Sequence, residues 1–151
     1  MARMDLDRTA PEAYQGFLQT DAALRRGPLD ATVRELVKIR ASQLNGCVFC
    51  VDLHTREARR LGERQDRLDQ LVVWQESELF DERERAALAY TEAVTRREHV
   101  GDELWETLRK HFPEAELGNL VAQVALINAL NLLGVPLRKK PPVRESQAPG
   151  R

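Results

Sequence analysis

The sequence predicts an all-α fold, and three observations carry the prediction. Apolar residues recur at helical spacing along most of the chain. Capping and stop signals fall where such helices would begin and end. No segment keeps the period-two alternation or the hairpin signal of strands. Thr9-Ala10-Pro11-Glu12 reads as a capping box with proline in the first turn, opening a helix whose apolar face is Tyr14, Phe17, Leu18 and Leu24 and which Gly27-Pro28 stops. Asp30 caps a second helix with Val33, Leu36, Val37, Ile39 and Leu44 as its stripe, ended by Asn45-Gly46. A third runs from Cys47 to Leu61 with Gly62 as its stop, and Leu68, Leu71 and Val72 mark a short fourth. Trp74 to Phe80 is less periodic and reads as a loop or short turn. Asp81 to Glu84 forms a second capping box, opening a helix through Ala87, Leu88, Thr91 and Val94. Gly101-Asp102 starts the next, with Leu104, Trp105, Leu108 and Phe112, and Pro113-Glu114 starts the last and most apolar one, which ends at Gly134 before Pro136.

At 151 residues, 42% of them apolar, the chain suffices for one hydrophobic core without staples. The expected organisation is one helical domain over residues 1–137 and a flexible, basic, proline-rich tail over 138–151. A net charge of −1 supplies no global field for nucleic acid, and the apolar stretch Leu120–Val135, interrupted by Gln123, Asn128 and Asn131, falls short of the roughly 20 residues of a membrane span. The N-terminus lacks a signal-peptide core, so a cytoplasmic protein is expected, with neither nucleic-acid nor membrane partners. The last helix carries apolar residues on more than one face, which suits a central helix or one shared with another subunit. Trp74 and Trp105 read as core or interface fillers. The Arg-Glu-rich runs read as solvated faces.

Only two cysteines occur, Cys47 and Cys50. On a helix, Cys47, Cys50 and His54 fall within an arc of about 60°, and an i, i+3 pair is close enough in Cα separation for a disulfide. Both thiols lie in the first turn after Asn45-Gly46, where unpaired N–H groups and the helix dipole favour a thiolate. His54 exchanges protons near neutral pH. If the second and third helices fold back as a hairpin, Glu35 reaches the height of His54, and partial burial would raise its pKa. Taken alone, Glu35 would read as a solvated residue and His54 as a helix-surface residue. Two inert buried cysteines remain an alternative, as does a zinc site, although no fourth ligand lies near Cys47, Cys50 and His54 in sequence and His99 and His111 sit on other helices.

The pattern Glu35-x11-Cys47-x2-Cys50-x3-His54, with Asn45-Gly46 directly before the first cysteine, resembles the alkylhydroperoxidase D-like family of the carboxymuconolactone decarboxylase superfamily. A weaker echo lies in Ala125 to Asn131. The resemblance implies a helical bundle with the Cys-x-x-C helix packed in a hairpin, and a peroxiredoxin-like thiol peroxidase acting on hydrogen or organic peroxides. It implies Cys50 as the peroxidatic thiol and Cys47 as the resolving thiol and proton donor. His54 would be the proton relay and Glu35 the general base of that relay. It further implies no bound cofactor or metal, an external dithiol reductant protein, and a homo-oligomer, trimer or hexamer. Phe49 stands where the best-studied members have a second relay histidine. Two further readings stay open: a thiol–disulfide electron carrier serving another peroxidase, and a non-enzymatic oligomeric binding protein with vestigial cysteines.

Overall fold

A computed structural model of the chain describes residues 1–144. It contains eight α-helices and, among the described residues, no strand. These are α1 (Leu6–Thr9), α2 (Pro11–Arg25), α3 (Ala31–Asn45), α4 (Val48–Arg60), α5 (Gln65–Gln70), α6 (Glu82–Thr95), α7 (Asp102–His111) and α8 (Glu114–Gly134). A 3-10 helix over Leu71–Glu76 continues α5 where a loop or short turn was expected. Most predicted punctuation holds. Asp30 accepts from the Val33 N–H at 3.1 Å, and Asp81 and Glu84 form a reciprocal capping box. The Thr9 box does not form. Ala10 caps α2 without a side-chain bond, and the Thr9 hydroxyl donates to the Asp5 carbonyl inside the extra helix α1.

Helix α3 is the centre of the bundle, packed on α4, α6 and α8. Every residue from Val33 to Ser42 is buried. Val33 and Val37 join Tyr90, Leu108, Phe112, Leu120 and Val124 in one apolar cluster. Leu36 and Ile39 join Ala58, Leu71, Trp74, Phe80 and Leu88 in another. The central position belongs to α3, whose sequence conceals it behind four charged residues. Arg34, Glu35, Lys38 and Arg40 are all buried, Glu35 more completely than the partial burial expected of it in the hairpin. Each charge has an ionic partner. Arg40, for example, meets Glu92 at 2.8 Å, and Glu92 also accepts from Trp74, Gln75 and Arg96. Trp74 is therefore a core residue with a satisfied indole N–H, whereas Trp105 is 36% exposed.

Helix α8 runs over the 21 residues expected from its start and stop signals, and the whole helix, unlike the apolar stretch Leu120–Val135 taken alone, is long and apolar enough to cross a membrane by length and composition. Within the bundle it serves as a core helix. Asn131 is 1% exposed, accepts from Asn45 at 2.9 Å and donates to the Ser42 hydroxyl at 3.0 Å, tying α8 to α3. Asn128 accepts from Asn45 and donates to Thr95. Beyond α8, the first part of the expected tail lies against the body. The Lys139 N–H bonds the Gly134 carbonyl, and Arg144 makes a two-pronged contact with Asp52 of α4. Residues 145–151, the rest of that tail, lie outside the described residues.

Candidate functional site

The site begins at the turn between α3 and α4. Gly46 adopts φ +69°, and the N–H groups of Gly46 and Cys47 return to the carbonyls of Gln43 and Ser42. This is the 5→2 and 6→1 pairing that closes a helix with a left-handed residue, for which glycine carries no Cβ penalty. The chain leaves the turn with Cys47 as N-cap of α4, its sulfur accepting from the Cys50 N–H at 3.3 Å. Cys47 and Cys50 are joined as a disulfide with Cα atoms 5.3 Å apart. The pairing open to them by spacing is therefore made. Gly134 of α8 lies directly over the pair. A Cβ there would stand 3.1 Å from Cys47 Sγ and 3.7 Å from Cys50 Sγ.

Both cysteines are buried, but they face different surroundings. A cavity of about 720 Å³ opens beside α4, lined by Cys50 and His54 and not by Cys47. Its walls come from α1, α2, α4, the end of α8 and Lys139. This explains why Tyr14 and Leu18, apolar-face residues of α2, are not buried in the core.

His54, one turn beyond Cys50, points its Nδ1 toward two carboxylates. Glu57 Oε2 is 3.4 Å away and Glu35 Oε2 3.7 Å. The predicted hairpin is real, and it brings Glu35 to His54 as expected. Glu35 Oε1 meets Arg34 and Lys38 at 3.3 Å each, while its Oε2 is buried with no hydrogen-bond partner. Lys38, 1% exposed, also meets Asp21 at 3.2 Å, and Arg25 bridges Asp21 and Glu57. Burial by itself pushes the His54 pKa down, but the Glu35 and Glu57 carboxylates outweigh it and hold the imidazole above the ordinary histidine value. Burial likewise pushes Glu35 up, against His54 and Lys38, and the net shift is downward. The expected upward shift of Glu35 is thus corrected, because its burial comes with cationic partners. Glu57 is pulled down to about 2, first by His54 and then by Arg25, despite partial burial.

Besides Arg34 and Lys38, whose burial the sequence conceals, three contributors escaped the sequence reading. Glu57 was legible, since it sits three residues after His54 on the same helix face. Asp21 and Arg25 lie on α2, and nothing local announces that they reach α3 and α4. Glu35, His54 and Glu57 each place a ligand atom within 4.8 Å of the others, a set that suits a metal by type. Lys38, Arg34 and Arg25 already compensate those carboxylates, so the group reads as a closed ionic network. His111, meanwhile, faces Glu82 at 3.9 Å, away from the cysteines.

Residues 11–93 match the family model described as the carboxymuconolactone decarboxylase family. The chain belongs to that family. Within it, the chain is of the alkylhydroperoxidase D-like type. This carboxymuconolactone decarboxylase family protein is 34% identical to the uncharacterized protein YdfG of Bacillus subtilis (strain 168), across 89% of its own length and 93% of YdfG. Among solved structures it is similar to a protein of unknown function from Agrobacterium tumefaciens, proposed as an antioxidant defence protein AhpD. That likeness has 33% identity, a TM-score of 0.91, and coverage of 95% and 100% of the two chains. The debrominase Bmp8 shares the fold at 20% identity and a TM-score of 0.78, over 86% of this chain and 71% of Bmp8. The fold is therefore shared with an enzyme of a different chemistry, and the fold alone does not decide what this chain does.

Proposed function

We propose that the protein is a thiol peroxidase that reduces hydrogen or organic peroxides through the Cys47–Cys50 pair. The observation that carries this reading is the asymmetry of the cysteines: Cys50 lines the cavity together with His54, and Cys47 sits bonded behind it. In the reduced enzyme, His54 accepts the Cys50 proton, and its raised pKa makes it a better base than an ordinary histidine. Glu35 and Glu57 stabilise the imidazolium that results. The Cys50 thiolate attacks the terminal peroxide oxygen, the O–O bond breaks, and the departing alkoxide takes a proton to leave as the alcohol, or as water from hydrogen peroxide. Cys50 is now a sulfenic acid. Cys47 attacks its sulfur, hydroxide leaves and is protonated to water, and the disulfide closes. An external dithiol returns two electrons by thiol–disulfide exchange and departs as its own disulfide. No resident cofactor enters this cycle, which suits a reducing cytoplasmic setting. Assembly as a trimer or hexamer belongs to the same reading, supported by the exposed Leu132 and Val135 at the end of α8.

The test is intact mass and free-thiol titration before and after one equivalent of peroxide, on the reduced wild type, Cys47→Ser and Cys50→Ser. The expected result is loss of both thiols and about 2 Da in the wild type, and a gain of about 16 Da confined to Cys47→Ser. Thiols that survive peroxide but oxidise with a disulfide donor would replace the peroxidase by the electron-carrier reading. Thiols inert to both would leave the binding-protein reading.

A further inference from the structure

The cavity is far larger than hydrogen peroxide requires. At about 720 Å³ it falls within the range, roughly 300–1,000 Å³, of sites that enclose drug-sized ligands. Its walls are mostly apolar, with Leu6, Leu18, Leu53, Leu130 and Leu133 among them. Besides His54, which its two carboxylates engage, two cations line it, and they differ. Arg25 is committed to Asp21 and Glu57. Lys139 makes no ion pair among the described residues. Its ammonium lies 4.1 Å from the centroid of the Phe49 ring and 5.7 Å from that of Tyr14, with the Tyr14 hydroxyl at 3.4 Å. The Lys139 N–H, bonded to the Gly134 carbonyl at 3.0 Å, fixes where that side chain starts. Two acidic residues also line the cavity from α1 and its cap. Asp5 is engaged in capping α1, and Asp7 is exposed to solvent. Aromatic faces hold a half-buried cation in place but leave its charge uncancelled.

We propose that this cavity binds amphipathic organic hydroperoxides that carry a carboxylate, the carboxylate seated on Lys139 and Tyr14 and the hydrocarbon against the leucine wall. The proposal rests on the thiol-peroxidase reading for the fate of the hydroperoxide. Cys50 takes the terminal oxygen to become a sulfenic acid, and the product is the corresponding hydroxy acid. The recognition step stands on the cavity alone. Phe49 then serves as the platform that holds the Lys139 ammonium at the cavity wall, so that the carboxylate is seated there while the hydrocarbon carries the hydroperoxide to Cys50.

The experiment separates recognition from chemistry by using one hydrocarbon with and without its charge. Linoleate and methyl linoleate, below their aggregation limits, are titrated into the disulfide form of the full chain by calorimetry. Turnover is then compared for linoleate hydroperoxide and its methyl ester. Linoleate is expected to bind at least about tenfold tighter than the ester, as a charge-assisted hydrogen bond requires. The same preference should appear in KM. Lys139→Met should abolish both preferences, and Lys139→Arg should retain them. Equal binding of acid and ester, no binding of either, or a preference that survives Lys139→Met overturns the proposal. If instead the binding preference holds while no peroxide of any kind is turned over, the peroxidase reading falls and the anion site stands.

Discussion

Replacing Lys38 by methionine removes one buried ammonium while keeping the length and bulk of the side chain. The Lys38 nitrogen lies 3.3 Å from Glu35 Oε1 and 3.2 Å from Asp21 Oδ1, at 1% exposure. The connected cluster holds three carboxylates (Asp21, Glu35, Glu57) and three permanent cations (Arg25, Arg34, Lys38), so it is balanced with His54 neutral. Without Lys38 it carries one excess negative charge away from water, and stripping one partner from a buried pair costs about 3–5 kcal/mol. Protonation relieves that cost. The Lys38 charge holds Glu35 down and opposes protonation of His54, so its removal raises both pKa values. A group whose folded pKa is raised contributes stability that is present below its unfolded pKa and lost as pH rises through the folded value. The deficit of the variant should therefore be smallest near pH 5.5. The unfolded histidine is common to both proteins and cancels, so the deficit should grow once pH rises past the folded value of wild-type His54, itself above the ordinary 6.5, at up to about 1.4 kcal/mol per pH unit for one proton. Urea denaturation of both proteins, disulfide intact, at about pH 5.5, 7 and 8.5 measures it. A loss under about 1 kcal/mol, or one that does not grow with pH, would refute the reading of Lys38 as the counter-charge of this network.

Glu57→Gln removes one of the two carboxylates facing His54, so the imidazole pKa should fall, read by NMR titration of the ring. An unchanged or higher value would remove Glu57 from the relay. Glu57 itself is held at about 2, below its ordinary 4.5, so it contributes stability above pH 4.5 that is lost as pH falls toward 2. The same variant should flatten the acid limb of the stability profile, and an acid limb identical to wild type would contradict that. Gly134→Ala gains helix propensity of about 0.5–1 kcal/mol but sets a methyl 3.1 Å from Cys47 Sγ, where overpacking costs about 1–3 kcal/mol. A net loss near 1 kcal/mol with slower disulfide closure is expected. A variant as stable as wild type that closes at the same rate would show that the sulfurs have room. Asn131→Leu strips Ser42 and Asn45 of a buried partner and should cost about 1–3 kcal/mol by chemical denaturation. No loss would mean water replaces the amide.

The punctuation of the chain, read one segment at a time, located most of the helices because caps and stops act locally. Asp30, Gly46, Asp81 and Gly62 each do their work within a few residues. The failure at Thr9 is of the same local kind: the chain before it folds into its own short helix, which takes the Thr9 hydroxyl for the Asp5 carbonyl. The alignment of Cys50 and His54 on one face of α4 was legible for the same reason, since helical periodicity fixes it, whereas Cys47 precedes the helix as its N-cap and faces elsewhere. The hairpin that adds Glu35 required only that two helices of known length fold back at a glycine.

Burial of charge was not legible. Nothing in the stretch Arg34-Glu35-Leu36-Val37-Lys38-Ile39-Arg40 distinguishes a solvated face from one enclosed on every side, because each charge is stabilised by partners distant in sequence, such as Asp21 for Lys38 and Glu92 for Arg40. The sequence by itself determined the helices, the i, i+3, i+7 register of the two thiols and the imidazole, and the closeness of Glu35 to that face. Only the packing of α2 and α8 on α3 and α4 decided which cysteine meets the cavity, which way the Glu35 pKa moves, and where Lys139 comes to rest. Those properties depend on how far each group sits from water and from charges on other helices, and that distance is set by the whole bundle.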